Sequence, residues 1–300
     1  MSSRSAPHAT GDHSLRGVLL MMSAVLTFSL MDTIAKYLGN FYPVPMLVWA
    51  RYFMHIVFML LVFAPGLGLR IAHTGRLRLQ VGRALLLVLC TALFFSALRF
   101  LPLAEATAIG YVSPFLVTAL SGPLLGERVS GRQWLAVAAG FSGVLIIVRP
   151  GGGLLTPAAL LPLGMALCYA LYQIFTRKLA ASDSPVVTLF YTALVGALVT
   201  SAALPFYWVT PSLAHLGLMM LLGTGGGVGH YVLIKAFDST PASVLAPFGF
   251  TQLLWVTVLG YLAFGDFPDA LGLLGMAVIV GCGLYCANVA RRAPRISARA

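Results

Sequence analysis

Ten apolar runs of membrane-spanning length follow one another along this chain, parted by short breaks rich in Pro, Gly and basic residues. A helix rises about 1.5 Å per residue, so roughly 30 Å of hydrocarbon takes about 20 apolar residues. The runs predict helices at about 17–37, 45–64, 82–98, 104–125, 133–148, 158–175, 185–204, 213–234, 242–264 and 270–288. The breaks are explicit: Pro43-Val44-Pro45, Pro65-Gly66, Pro150 with the three glycines after it, and Pro268-Asp269.

One stretch occurs twice. Pro102 to Glu127 lies over Pro241 to Asp266 without a gap. Gly110 falls on Gly249, Tyr111 on Phe250, Thr118 on Thr257, Gly126 on Gly265 and Glu127 on Asp266. Matching leucines mean little in so apolar a chain; matching Pro, Gly, Thr and a Gly-acid ending mean more. A weaker echo sets Leu38 over Leu179. The chain is therefore two related halves of five spans each, which fixes the architecture before any detail. Five is odd, so the second half enters the membrane with opposite polarity. The expected fold is an all-α polytopic membrane protein of ten transmembrane helices in two inverted five-helix repeats. Residues 1–16 form a polar leader, 17–149 the first repeat, 150–157 a linker, 158–289 the second repeat and 290–300 a basic tail. In transporters such repeats set the substrate site near the midplane, between the halves.

Composition sharpens the class. Hydrophobic residues are 59% and charged residues 9%, against about 45–50% and about 25% in soluble domains. Two soluble domains are excluded. The net charge of +11 raises the question of nucleic acid, and its distribution answers it. With the N-terminus in the cytoplasm, fifteen Lys and Arg fall on the cytoplasmic side and only Lys36, Arg99 and Arg149 outside. That asymmetry is a topology signal. It places both termini inside a bacterial inner membrane and requires no nucleic-acid partner. The first helix serves as an uncleaved anchor. Cys90, Cys168, Cys282 and Cys286 all lie within apolar runs and read as packing residues. Metal and cofactor motifs are not found, and His55 with His230 lacks further ligands at a known spacing.

Ionisable side chains inside spans are costly and point to function. Asp32 is a carboxylate well inside the first span. Lys36 follows one turn later, where the two can face each other. Arg51, on the returning second helix, reaches a similar depth. One reading is a buried charge pair locking the first two helices; the other is the polar end of a substrate site, or a protonatable gate with a proton as coupling ion. A zwitterionic substrate suits one acid and one or two bases. Tyr111, Tyr169 and Trp255 head a set of aromatics at membrane depth that also includes Trp49, Tyr52 and Tyr191. Amides at that depth need partners, which marks Gln173 and Gln252. Across the repeat Ser113 lies over Gln252, and Asp32 over Gln173. The glycine run 223–229 beside His230 reads as close helix packing, with an unwound segment as the alternative. Pro114 and Pro247 sit mid-helix and favour kinks.

The run Ala97-Leu98-Arg99-Phe100-Leu101-Pro102-Leu103-Ala104-Glu105-Ala106, and Gly126-Glu127-Arg128 followed by Gln133-Trp134-Leu135, resemble the helix links of the EamA branch of the drug/metabolite transporter superfamily. The resemblance runs from Arg16 to about Val289. It implies a transporter of small metabolites, working by alternating access, with export commoner than import. The first expectation is export of an amino acid or amino-acid derivative. The alternative is a vitamin-like or metallophore substrate, in either direction. ATP-binding motifs are missing, so a substrate or proton gradient must drive it. An enzyme would need a nucleophile and base at membrane depth, yet G-x-S-x-G and H-E-x-x-H are both lacking. A channel would need a filter or a ring of like charges.

Overall fold

The structure, a computed structural model, describes residues 12–126, 129–149, 157–180 and 182–292. The leader up to residue 11, the Glu127-Arg128 pair, most of the linker and the tail beyond 292 lie outside the described residues. Among the described residues ten long helices, with short helical turns between some of them, make the bundle. They are α1 (Asp12–Leu38), α2 (Val44–Val62), α3 (Leu77–Ala97), α4 (Leu103–Leu125) and α5 (Gly131–Val148), then α6 (Leu160–Leu179), α7 (Pro185–Ala203), α8 (Leu213–Ser239), α9 (Ala242–Phe264) and α10 (Ala270–Arg292). All ten are long and apolar enough to cross a membrane, and no strand occurs among the described residues. Short links such as 39–43 and 98–102 make successive helices antiparallel. The end of the bundle where α1 starts is termed the leader face, and the end where it stops the far face.

Five helices, α1, α3, α6, α8 and α10, outrun the sequence-based expectation by four or five residues at one end. α3 begins at Leu77 instead of about residue 82, which sets Arg83 inside the helix and not at its first turn. A single glycine, Gly82, costs about 1 kcal/mol, which is too little to stop a helix anchored by its next residue. Arg83 is only 1% exposed. Its guanidinium donates to the Thr188 carbonyl at 2.6 Å, to the Thr176 hydroxyl at 3.1 Å and to the Thr192 hydroxyl, and it lies over the Tyr172 ring. Arg83, one of the fifteen basic residues counted on the cytoplasmic side, is thus a buried tie from α3 to α6 and α7. α6 and α8 run on through Arg177, Lys178 and Lys235, because long basic side chains reach the interface while their stems stay on the helix.

α4 and α9 are both broken, and at equivalent residues. α4 consists of Leu103–Gly110 and Ser113–Leu125; α9 consists of Ala242–Gly249 and Thr251–Phe264. The breaks fall at Tyr111 and at Phe250, the same place in the repeat. Pro114 follows the first break and Pro247 precedes the second, so each removes an amide donor on a different side of it. Both helices end at a glycine in the left-handed region, Gly126 (φ 71°) and Gly265 (φ 73°), the cap that lacks a Cβ penalty.

Close approach holds the bundle elsewhere. α8 is one continuous helix through its glycine run, so that run is packing and not an unwound segment. A Cβ on Gly223 would stand 2.5 Å from the Ala50 carbonyl of α2. Without a hydrophobic force between helices in lipid, such contact is a main source of association.

Candidate functional site

A cavity of about 450 Å³ lies in the middle of the bundle. Eight helices line it; α5 and α7 contribute none of its wall. Seven of the nine residues singled out from sequence face it. Asp32 comes from α1, Arg51 from α2, Tyr111 and Ser113 from α4, Tyr169 and Gln173 from α6, and Gln252 from α9. Both repeat-related pairs, Asp32 with Gln173 and Ser113 with Gln252, are therefore brought to one space.

Lys36 and Trp255 do not line it. The Asp32–Lys36 pair expected from their spacing is not formed. Lys36 Nζ donates to the Leu101 carbonyl at 2.8 Å, pairs with Asp266 at 3.4 Å and lies over the Phe264 ring. It is two residues from the end of α1, so its long stem reaches the far face and the orphan carbonyl of the α3–α4 link. Trp255 packs against Met21, Val25, Ala236 and Leu245. Met21 and Val25 themselves line the cavity, so the indole stands one layer behind it. The other aromatics named from sequence act as ties. Trp49 Nε1 donates to the Ser201 hydroxyl at 3.0 Å, and the Tyr191 hydroxyl donates to the Ala72 carbonyl at 2.8 Å.

The geometry at the centre is unusual in its charges. Among the described residues Asp32 makes no hydrogen bond and no ion pair, although Arg51 acts on it electrostatically. Arg51 Nη1 instead donates to the Thr91 hydroxyl at 3.0 Å, with the guanidinium near the rings of Tyr52 and Phe95. The carboxylate and the guanidinium face the same space without neutralising each other.

The broken helices meet here too. The Leu253 amide bonds the Phe250 carbonyl at 3.1 Å, so the Gly249 carbonyl is left to the Tyr111 hydroxyl, which donates to it at 2.7 Å. The same hydroxyl lies 3.1 Å from Gln252 Oε1, and the Tyr111 and Phe250 rings are 5.2 Å apart. A hydrogen-bonded contact thus joins the two repeats at their matching breaks.

Sequence reasoning missed several wall residues. Thr91 gave no signal, since a threonine in an apolar helix ordinarily bonds its own turn. Met21, Met31 and Met165 line the wall beside Phe28 and Phe94, and nothing in a run of apolar residues separates these from lipid-facing ones. His230 was read with the glycine run. It faces the cavity, stacked against His55 at 6.1 Å between ring centroids. No cluster of three metal-binding side chains occurs among the described residues.

The far face is tied between the repeats. Lys36 meets Asp266, and Arg149 meets Asp269. The Arg149 guanidinium, then the Gly272 amide, hold the Asp269 carboxyl below the usual carboxylate range. The cavity wall reaches instead toward the leader face, through Met21, Leu233, Ala246 and Ala287.

Comparison with known proteins agrees with this architecture. A solved crystal structure superposes with a TM-score of 0.65 at 21% identity, covering 94% of this chain and 98% of that one, which shows the fold alone. The "S-adenosylmethionine uptake transporter" of Rickettsia prowazekii is 28% identical over 271 residues, 90% of this chain and 92% of that protein. The "Riboflavin transporter" of Vibrio cholerae is 31% identical over 278 residues, 89% and 91% of the two chains. The "Pseudopaline exporter CntI" of Pseudomonas aeruginosa is 28% identical over 272 residues, 89% and 94%. The EamA-like transporter family matches twice, at residues 15–149 and 156–288. Two matches, one per half and together spanning nearly the whole sequence, settle the assignment: the chain belongs to the EamA-like transporter family.

Proposed function

We propose that this chain is a secondary transporter that moves a small metabolite combining a flat ring with a zwitterionic group, an amino-acid derivative in the broad sense, by alternating access. The observation that carries the reading is the pair of opposite, unneutralised charges facing one ring-lined cavity at the middle of the membrane. An unpaired charge at that depth is expensive, and a substrate bearing both signs removes the cost when it binds. The aromatic and methionine walls suit a flat ring, and Gln173, Gln252 and Ser113 supply the few polar groups that orient a ligand. The relatives' named substrates support a small metabolite of this size.

The halves rock about the site. The far face is held shut by Lys36–Asp266 and Arg149–Asp269, and opening it requires those pairs to part. Orientation follows the basic residues: the leader face is cytoplasmic, both termini are inside, and the membrane is a bacterial inner membrane. Export remains the expected direction, although relatives are named for both uptake and export.

The test is flux in proteoliposomes loaded with labelled tryptophan, S-adenosylmethionine or riboflavin. Saturable flux of a ring-bearing zwitterion, above empty vesicles and above Asp32→Asn protein, is expected. Movement of riboflavin alone overturns the zwitterion part, and movement of none of the three overturns the reading. Right-side-out vesicles loaded on one side decide direction.

A further inference from the structure

The unpaired state of Asp32 and Arg51 needs a cause. Two opposite charges facing one low-dielectric cavity attract strongly, and a flexible arginine would be expected to close on the acid. What opposes this is the Thr91 hydroxyl on α3. A threonine hydroxyl has one donor and two acceptor lone pairs. Here the donor is spent on the Leu87 carbonyl at 2.9 Å. One lone pair accepts from Arg51 Nη1 at 3.0 Å and the other takes the Tyr52 hydroxyl at 2.9 Å. The valence of that oxygen is full. Thr91 is only 2% exposed and Tyr52 only 1%, so no bulk solvent competes for these bonds.

We infer that Thr91 is a positioning residue for substrate recognition: it holds the Arg51 guanidinium away from Asp32, so that the cavity keeps one free acid and one free base for a zwitterion. Asp32 takes the ammonium group and Arg51 the carboxylate, while Thr91 touches neither. The inference rests on the zwitterion reading above and extends it to a residue with no direct contact to substrate. It also accounts for the Tyr52 phenol, which fixes the threonine from the second side. Thr91→Val keeps the side-chain shape and removes both acceptor sites. Arg51 then closes on Asp32, and the substrate must break an ion pair before it can bind.

The experiment uses full-length protein in nanodiscs. The probes are labelled S-adenosylmethionine, which carries ammonium and carboxylate, and methylthioadenosine, which keeps the ring but has neither. For Thr91→Val we expect about a tenfold loss of affinity for S-adenosylmethionine and little change for methylthioadenosine. Thr91→Ser restores wild-type affinity for both. In an Asp32→Asn background the further change Thr91→Val has no selective effect, since Arg51 no longer has an acid to close on. Equal loss for both probes means Thr91 only supports the fold, and overturns the inference. Unchanged affinity in Thr91→Val overturns it as well, with the zwitterion reading intact. If wild-type protein holds neither probe, tryptophan and indole take their places with the same expectations; if it holds none of the four, the zwitterion reading itself falls and takes this inference with it.

Discussion

At the far face Lys36 meets Asp266 at 3.4 Å and Arg149 meets Asp269, whereas inside the bundle Asp32 and Arg51 share a cavity and do not pair. The leader face follows the far face. There Asp183 accepts from the Thr74 hydroxyl at 2.5 Å and from Gln80 Nε2 at 2.7 Å, and the two Nη atoms of Arg83 donate to threonine oxygens. Lys36, Arg149, Asp183 and Arg83 each find a charged or hydrogen-bonding partner within the protein. Asp32 and Arg51, which face the central cavity where an unpaired charge is costly, are the ones kept apart. A charge that only holds helices together is satisfied within the protein. On the reading proposed above, the pair left apart is reserved for something that arrives and leaves.

The comparison can be broken most sharply at its centre. Asp32→Asn should lower transport of a zwitterion by a hundredfold or more while the purified protein keeps its helicity and elution volume. A loss of only two- or threefold would place Asp32 with the structural charges. The buried tie comes next. Arg83→Met removes hydrogen bonds from a charged donor, each typically worth about 1.5–3 kcal/mol. A fall in stability of about 2–3 kcal/mol is expected, read as a lower unfolding midpoint in detergent. Substrate affinity should not move, because Arg83 does not line the cavity. If affinity drops and stability holds, ends and centre are not separable as argued.

A smaller effect is expected at the rim. Lys36→Gln removes a pair in which the Asp266 side chain is 36% exposed, and exposed pairs contribute about 1 kcal/mol or less. Stability should hardly change, but cysteines placed on the far face should label faster, since the contact joins the two halves. Unchanged labelling would remove Lys36 from the closure of that face. The smallest effect is in acid. Burial works to raise the Asp183 carboxyl, but hydrogen bonds from Thr74, Gln80 and Ser182 outweigh it and hold the group below the usual aspartate value. A depressed folded value stabilises the fold above the unfolded value of about 3.9, and this contribution is lost as pH falls through the folded value. The unfolding midpoint should therefore decline below about pH 4, and decline less in Asp183→Asn. Equal declines in the two proteins would assign the acid limb elsewhere.

Much of this was legible in the chain. Hydrophobic runs long enough to span a bilayer have few alternatives, and the repeat of Pro, Gly and Gly-acid positions named the pair of helices that break together. Asp32, Arg51, Gln173 and Gln252 were legible because polar atoms at membrane depth are rare and need a reason. Lys36 misled because spacing along a helix gives a face but not a depth: near a helix end, a lysine finds the interface before it finds an acid one turn back. Trp255 misled for a related cause. It is three residues from Gln252, close enough in angle to suggest the same wall, but its bulk fills the layer behind. Thr91 and the methionines were out of reach, since their role depends on which side of α1, α3 and α6 turns inward, and in a membrane both sides are apolar.

The contact between the two breaks carries one more consequence. Tyr111 has a hydroxyl to give to Gly249, and Phe250, its counterpart in the repeat, has none to return. If the proposed rocking interchanges the roles of the halves between two resting poses, those poses have equal weight only if the halves are equal. One such bond is worth about 1 kcal/mol, which skews two populations about fivefold. The chain is thus a loaded die. Phe250→Tyr should level the two populations, as distance distributions between paired spin labels would reveal, and a distribution that ignores the added hydroxyl would show that the bias is set elsewhere.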